Sequence, residues 1–304
     1  MSANRPPAVL LTGSTGMLGR ALQEKLGPSY SLIKTSKRGL EGSIPCDLSD
    51  ETQVRGFLEK HPADLVIHTA AYSDVDGCER DPKLAYEANA MAPKNLAAFC
   101  GAKNIPWIHV STDYVFDGRK RPPDMYTEND TAAPSSIYGM TKWVGEFYAA
   151  HSASPCAIVR TSWLFGPGNP KTFVNWVSGR LKTESTAAVL DDQTTAPTSV
   201  KDLSEALARI AASLLETKSP RVNRTFHVCN RGGTTHLGIA EFIREKLGLR
   251  SAKVEVTDKS RLPGRLAIRP VYSVMDPENF EKSFGMKMRP WKDALREYIQ
   301  ENGA

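Results

Sequence analysis

Apolar and polar positions in the first half of the chain alternate between short apolar runs and stretches of helical period. The runs predict buried strands at 8–11, 30–35, 64–68, 107–110 and 157–160. Helical spacing predicts helices at 17–26, 50–60 and 81–100, and a further helix that contains Tyr138 and Lys142. Alternating strands and helices with right-handed crossovers build a doubly wound parallel sheet. The pattern therefore predicts an α/β Rossmann-type domain over residues 1–165.

The second half is less regular and predicts a smaller C-terminal α/β lobe that binds substrate, over residues 166–304. Helices are expected at 172–182, 200–216, 237–247 and 291–301, and short strands at 188–190, 225–229 and 253–256. Residues 200–230 are expected to fold back onto the nucleotide domain.

Glycines follow the first predicted strand and open the first predicted helix. Gly13, Gly16 and Gly19 stand three residues apart, with Thr15, Met17 and Leu18 between them. In that context the glycines allow a tight turn, an approach to a pyrophosphate and close helix packing, and the helix N-terminus faces the phosphate charge. The alternative is a plain glycine-rich turn between a strand and a helix.

The second strand is followed by Lys37 and Arg38, where many NAD-binding chains carry an acid for the ribose hydroxyls. Two cations suit a 2′-phosphate, so NADP(H) is expected in preference to NAD(H); an ordinary basic loop is the alternative. The other expected cofactor contacts follow the second and third predicted strands or lie on the third predicted helix: Asp47, Leu48, Ala70, Ala71, Tyr72 and Asn89.

Tyr138 and Lys142 lie one helical turn apart on one face. An ammonium beside a phenol lowers the pKa of the phenol and makes it a usable proton donor. The spacing alone says little, because Tyr30 and Lys34 share it in a predicted strand, where they lie roughly 13 Å apart.

Composition excludes several classes of protein. The 304 residues are 40% hydrophobic and 24% charged, and the net charge of +5 is spread out, so no nucleic-acid face is expected. No apolar run approaches the roughly 20 residues of a membrane span, and no signal peptide is recognised. Five scattered cysteines form no Cys-x-x-Cys pair, so reduced thiols in a cytoplasmic protein without a zinc site are expected.

These motifs together resemble the dTDP-4-dehydrorhamnose reductase family of the extended short-chain dehydrogenases/reductases. The narrower matches are the segments 111–118 (Ser-Thr-Asp-Tyr-Val-Phe-Asp-Gly) and 160–163 (Arg-Thr-Ser-Trp), followed by 192–198 and 269–273. Thr195 and Tyr272 depart from the pattern, since many relatives have Gly and some have Asn at these positions.

The resemblance implies a reduction of a sugar-nucleotide ketone, most simply of dTDP-4-dehydrorhamnose to dTDP-L-rhamnose with NADPH. Tyr138 would donate the proton, Lys142 would lower the pKa of Tyr138 and bind the nicotinamide ribose, and Thr112 would hydrogen-bond the ketone oxygen. Asp113 and Trp163 would contact the sugar. Arg265 and Arg269 are candidates for the diphosphate, with surface salt bridges as an equal alternative.

Two other functions remain open at this point. The regulatory beta subunit of methionine adenosyltransferase is similar to the same family and binds NADP(H) as a partner of another enzyme. Another NADP-dependent sugar-nucleotide reductase or epimerase would also fit. Some family members use Mg²⁺ at dimer contacts, so Mg²⁺ and a homodimer stay open, but no metal ligand can be assigned here.

Overall fold

The computed structural model describes residues 5–216, 224–258 and 264–302. Its strands are β1 (Ala8–Thr12), β2 (Ser31–Ser36), β3 (Ile44–Pro45), β4 (Leu65–His68), β5 (Trp107–Thr112), β6 (Cys156–Thr161), β7 (Leu164–Phe165), β8 (Thr186–Val189), β9 (Thr194–Thr195), β10 (Thr198–Ser199), β11 (Arg224–His227), β12 (Thr234–Thr235) and β13 (Lys253–Val256). Its α-helices are α1 (Met17–Leu26), α2 (Glu51–Lys60), α3 (Val75–Arg80), α4 (Pro82–Tyr86), α5 (Ala92–Lys103), α6 (Ile137–Ala150), α7 (Phe173–Thr183), α8 (Val200–Glu216), α9 (His236–Lys246), α10 (Glu278–Phe284) and α11 (Trp291–Asn302).

Seven of the described strands form one parallel sheet in the order β11-β6-β5-β4-β1-β2-β3. Successive side chains of a strand point to opposite faces. Val9 and Leu11 accordingly pack with α1 and α8, whereas Leu10 packs with α2 and α5. Helices thus cover both faces of the sheet, and the predicted Rossmann-type fold is confirmed.

β1 and β4 are neighbours in the middle of the sheet, and the strand order reverses between them. At such a switch point the connections leave in opposite directions and open a crevice beyond the carboxyl ends of the strands. The loops after β1, β4, β5 and β6 meet at this edge.

A second apolar cluster lies outside the sheet and is formed by α7, α9, α11 and β8. β8 pairs in parallel with β13, and β9 pairs antiparallel with β12. α8 returns to pack against α1, and β11 extends the main sheet beside β6. Residues 217–223, within the segment expected to fold back, lie outside the described residues.

The helix predicted at 81–100 is divided in the structure. Asp81 accepts a hydrogen bond from the Leu84 amide and caps α4, which starts with Pro82. A π-helical turn at Glu87–Met91 then precedes α5. Within the described ranges, no helix combines the length and hydrophobicity that a bilayer crossing needs.

Candidate active site

A cleft of about 920 Å³ runs along the carboxyl edge of the sheet. The glycine-rich turn, the ends of β4 and β5, helix α6 and the segment after β6 form its walls. The predicted site residues that line it are Gly13, Thr15, Gly16, Met17, Leu18, Gly19, Lys37, Arg38, Asp47, Leu48, Ala70, Ala71, Tyr72, Thr112, Asp113, Tyr138, Lys142 and Trp163. The structure therefore brings the expected nucleotide loop and the expected proton donor into one cavity.

The glycine-rich turn approaches the backbone of the neighbouring strand very closely. Gly13 has φ of +65°, and a Cβ there would lie 2.7 Å from the Ala70 nitrogen. A Cβ on Gly19 would press on the Gly13 carbonyl. A side chain at either position would collide with the neighbouring backbone. Because the glycines carry none, the turn packs closely and leaves its own backbone and the N-terminus of α1 open toward the cleft. Such a cradle fits the pyrophosphate of a dinucleotide.

Two cations lie at the end of the cleft that follows β2. Lys37 forms an ion pair with Asp47 at 2.7 Å, and Asp47 also accepts hydrogen bonds from the amide and hydroxyl of Ser49. Arg38 is exposed at the rim. Asp47 therefore orients Lys37, and the two positive groups at this rim suit a nucleotide that carries an extra phosphate.

Helix α6 carries Tyr138 into the cleft. Its N-cap Ser136 accepts a hydrogen bond from the Gly139 amide at 3.2 Å, which starts the helix one residue before Tyr138. The Tyr138 ring packs edge-on against Tyr114, with centroids 5.5 Å apart.

The expectation that Lys142 lowers the pKa of Tyr138 is wrong for this structure. Burial raises the pKa of the Tyr138 phenol well above its usual value, and the negative charge of Asp113 adds to the rise, whereas a hydrogen bond with Thr112 opposes it. The reason is that the protein surroundings of the phenol disfavour its charged form, while the ammonium of Lys142 is held at the Val110 carbonyl. The phenol consequently keeps its proton at neutral pH, as a proton donor must.

Lys142 is 2% exposed, and its Nζ donates a hydrogen bond to the Val110 carbonyl at 2.6 Å. Burial lowers the pKa of this lysine to about 8, while the carboxylate of Glu146 acts to raise it. At neutral pH the side chain therefore remains mostly an ammonium.

Asp113 connects the end of β5 to the C-terminal half of the chain. It is 1% exposed, and its carboxylate accepts hydrogen bonds from the hydroxyls of Ser273 (2.5 Å), Thr195 (3.0 Å) and Thr112 (3.2 Å). Thr195, the position that departs from the family pattern, thus contributes one of these donors. The network fixes the Thr112 side chain beside Tyr138.

The buried Asp113 should give the protein a specific pH dependence of stability. Burial raises the pKa of its carboxyl from 3.8 to about 6, although the three hydroxyl donors act to lower it. Since the folded pKa is the higher one, this group stabilises the fold fully below about pH 4 and loses that contribution as the pH rises through about 6.

We therefore expect Asp113→Asn to gain stability relative to the wild type as the pH rises, by ~3 kcal/mol across this window. Urea unfolding of both proteins at several pH values measures the difference. A difference that does not change with pH would contradict the assignment.

Trp163 lies in the segment after β6 and has a left-handed backbone, with φ of +34°. A bulky residue in this region is strained, and such strain persists where the surroundings hold it. Its ring lines the cleft and stacks on His236, with centroids 3.9 Å apart. His236, at the start of α9, thereby supports a flat apolar surface in the cleft.

Three predicted site residues do not line the cleft. Asn89, on the π-helical turn, pairs with the backbone N–H and C=O of Tyr72 and donates to the Thr141 hydroxyl. It therefore joins the loop after β4 to helix α6 without lining the cleft itself.

The two arginines are engaged with carboxylates. Arg265 forms an ion pair with Asp192 at 2.9 Å, and Arg269 forms a two-point pair with Asp76 in α3. Both arginines therefore fit the alternative that they form salt bridges and do not bind the diphosphate. The Arg269 pair also ties the segment around residue 269 to α3.

Several residues that line the cleft were given no role from the sequence. They are polar and lie at the carboxyl ends of β2, β4 and β6 or in the turn before α7: Ser36, Thr69, Thr161, Ser162, Asn169 and Thr172. Their position at the carboxyl ends of predicted strands is the signal that could have identified the first four.

The described residues do not form a recognisable metal-binding group. Across the three described ranges, no three His, Cys, Asp or Glu side chains converge into a group that could hold a metal ion. The Mg²⁺ left open by the sequence is therefore given no role.

The fold and the cleft together define a nicotinamide-nucleotide-dependent oxidoreductase. Comparison with known proteins narrows this class. The profile of one family, described as the RmlD substrate binding domain, matches residues 7–303. A dTDP-4-dehydrorhamnose reductase from Streptomyces griseus is 35% identical over 98% of this chain and 94% of its own length.

Solved structures agree with this result. A dTDP-4-dehydrorhamnose reductase from Clostridium acetobutylicum superposes with a TM-score of 0.87 at 34% identity, covering 98% of this chain and 100% of that one. One from Bacillus anthracis, in complex with NADP, gives a TM-score of 0.87 at 29% identity, covering 97% and 99%. The chain belongs to the dTDP-4-dehydrorhamnose reductase family, and the resemblance stated from its motifs is confirmed.

Proposed function

We propose that this protein reduces a 4-keto-6-deoxy sugar nucleotide with NADPH, converting dTDP-4-dehydrorhamnose to dTDP-L-rhamnose. The observation that carries the proposal is that Thr112, Tyr138 and Lys142 line the same cleft as the glycine-rich nucleotide loop. NADPH, when bound, supplies the hydride for the ketone carbon. The matching relatives, and the NADP complex of one structural neighbour, support both the substrate class and the cofactor.

The residues of the chain act on the ketone oxygen and on the orientation of the ligands. Tyr138 donates its phenolic proton to the oxygen. The single hydroxyl hydrogen of Thr112, which bonds to Asp113 in this structure, turns to the same oxygen as negative charge develops there. The ammonium of Lys142 binds the nicotinamide ribose. Gly13, Gly16 and the N-terminus of α1 hold the pyrophosphate.

The C-terminal lobe, which we place within residues 166–304, holds the sugar nucleotide. Trp163 provides an apolar surface for it, and Asp113 acts through Thr112 by fixing its hydroxyl. Because the donor set is complete, catalysis is better supported than the regulatory-subunit hypothesis. None of the five cysteines forms a disulfide, which supports a cytoplasmic location. A homodimer stays a prediction.

The decisive measurement is NADPH oxidation by the purified protein on addition of dTDP-4-dehydrorhamnose, with NADH in parallel. We expect turnover with preference for NADPH, and dTDP-L-rhamnose as the product identified by NMR. A folded protein that binds NADPH but does not turn over this substrate would contradict the substrate assignment, and a panel of other keto-sugar nucleotides would then identify the ketone.

A further inference from the structure

Three charged side chains, two on α6 and one on β6, form a buried row beneath the cleft. Lys142 and Glu146 are one turn apart on α6, and they are 2% and 4% exposed. Arg160 on β6, 7% exposed, donates from Nε and Nη2 to the two carboxylate oxygens of Glu146, at 2.9 and 2.7 Å. Tyr138 lies one turn before Lys142, so α6 places phenol, ammonium and carboxylate on one face.

A buried row of this kind needs a physical reason, because an ion pair inside a protein gains little stability over apolar side chains of similar size. The guanidinium of Arg160 also packs on the face of Phe116 at 5.1 Å, and its Nη1 has no hydrogen-bond partner. Glu146 is thus the group that neutralises Arg160, and it is also the carboxylate one turn from Lys142.

The other titratable groups around Lys142 carry no opposing charge. His68 on β4 and His109 on β5 stack at 5.4 Å beside it. Burial and the charge of Lys142 hold the pKa of both imidazoles far below the usual value, so both are neutral. The phenol of Tyr138 is neutral as well. Of the described groups that face the ammonium, Glu146 therefore supplies the negative charge.

We propose that Glu146 and Arg160 are positioning residues that set the protonation state of Lys142. The carboxylate of Glu146 is shared between two cations. Lys142 experiences only the part of the electrostatic field of Glu146 that Arg160 does not neutralise. A buried lysine without a nearby carboxylate loses its charge readily, so the pair determines the pH range in which the ammonium persists.

The two halves of the pair should have opposite effects on Lys142. Glu146→Gln removes the carboxylate and leaves Arg160 as an unpaired cation nearby, so the pKa of Lys142 should fall by about one to two pH units. Arg160→Met leaves the carboxylate entirely to Lys142, so this pKa should rise. A purely structural role of the pair would damage both variants in the same way.

NMR titration of protein made with isotope-labelled lysine measures the pKa of Lys142 directly, and the resonance is assigned by its loss in Lys142→Met. This readout does not depend on any substrate. The alkaline limb of the pH profile of kcat, which rests on the proposed reductase activity, should move down in Glu146→Gln and up in Arg160→Met. Shifts in one direction, or an unchanged titration in Glu146→Gln, would overturn the proposal.

A matched control is available in another Arg–Glu pair with two-point contact, formed by Arg231 and Glu281. Glu281→Gln should leave the Lys142 titration unchanged, and a shift like that of Glu146→Gln would refute the assignment.

Single variants that break a buried pair can fail to fold. In that case the double variant Glu146→Leu/Arg160→Met replaces the pair by apolar side chains. The pKa of Lys142 should then lie below the wild-type value, because no carboxylate remains one turn away. An unchanged value would equally refute the proposal.

Discussion

Tyr138→Phe is expected to lower kcat by ~10²–10⁴-fold, the usual contribution of a positioned proton donor. The ring and its edge-on contact with Tyr114 are kept, so the affinity for NADPH should stay close to that of the wild type. Steady-state kinetics with the keto-sugar nucleotide and a fluorescence titration with NADPH measure the two effects separately.

The chain provides its own control for this variant. Tyr30 stands four residues before Lys34, but the lysine lies in β2 and the pair is not helical. Tyr30→Phe should leave kcat unchanged. Full activity of Tyr138→Phe would remove Tyr138 from its role as donor.

Gly13→Ala is expected to weaken NADPH binding by more than about tenfold and to destabilise the protein. The residue has φ of +65°, and the new Cβ would lie 2.7 and 2.8 Å from the nitrogen and Cα of Ala70. A left-handed backbone costs about 1–2 kcal/mol for a residue with a Cβ. The close contact also forces the turn away from the end of β4, so the cradle for the pyrophosphate opens.

NADPH titration and chemical unfolding of this variant test both parts of the expectation. Gly56→Ala is the control, because a Cβ there meets nothing within 4 Å and the position lies inside α2. That change should leave the cofactor affinity unaltered and stabilise the helix by up to about 1 kcal/mol. Wild-type NADPH affinity in Gly13→Ala would contradict the role given to the turn.

The periodicity of the sequence determined the main elements well, where local pattern and tertiary packing agree. Helices were predicted at 17–26 and 200–216, and α1 and α8 have these bounds in the structure. The helix predicted at 81–100 is present from Pro82 to Lys103, but a π-helical turn lies inside it. Asp81 followed by Pro82 is a cap signal that marks the start of this helix, whereas the π-helical turn at Glu87–Met91 has no comparable local signal.

The residues of the candidate site were easier to predict than their electrostatics. Strand ends and the glycine spacing place most of the expected residues on one cleft. The direction of the Tyr138 pKa shift depends on burial, and burial is decided by elements far away in the sequence. The contacts of Asn89, Arg265 and Arg269 also depend on tertiary packing, for the same reason.

The contacts of Asp113 set a condition for any exchange of the C-terminal lobe between relatives. The carboxylate is buried, and two of its three hydroxyl donors, Thr195 and Ser273, belong to the part of the chain after residue 165, for which we propose a substrate-binding lobe. A transplanted lobe with glycine at the first position would leave the charge with one donor from that side. Chimeric enzymes made to accept new sugars should therefore carry both hydroxyls along with the new binding surface.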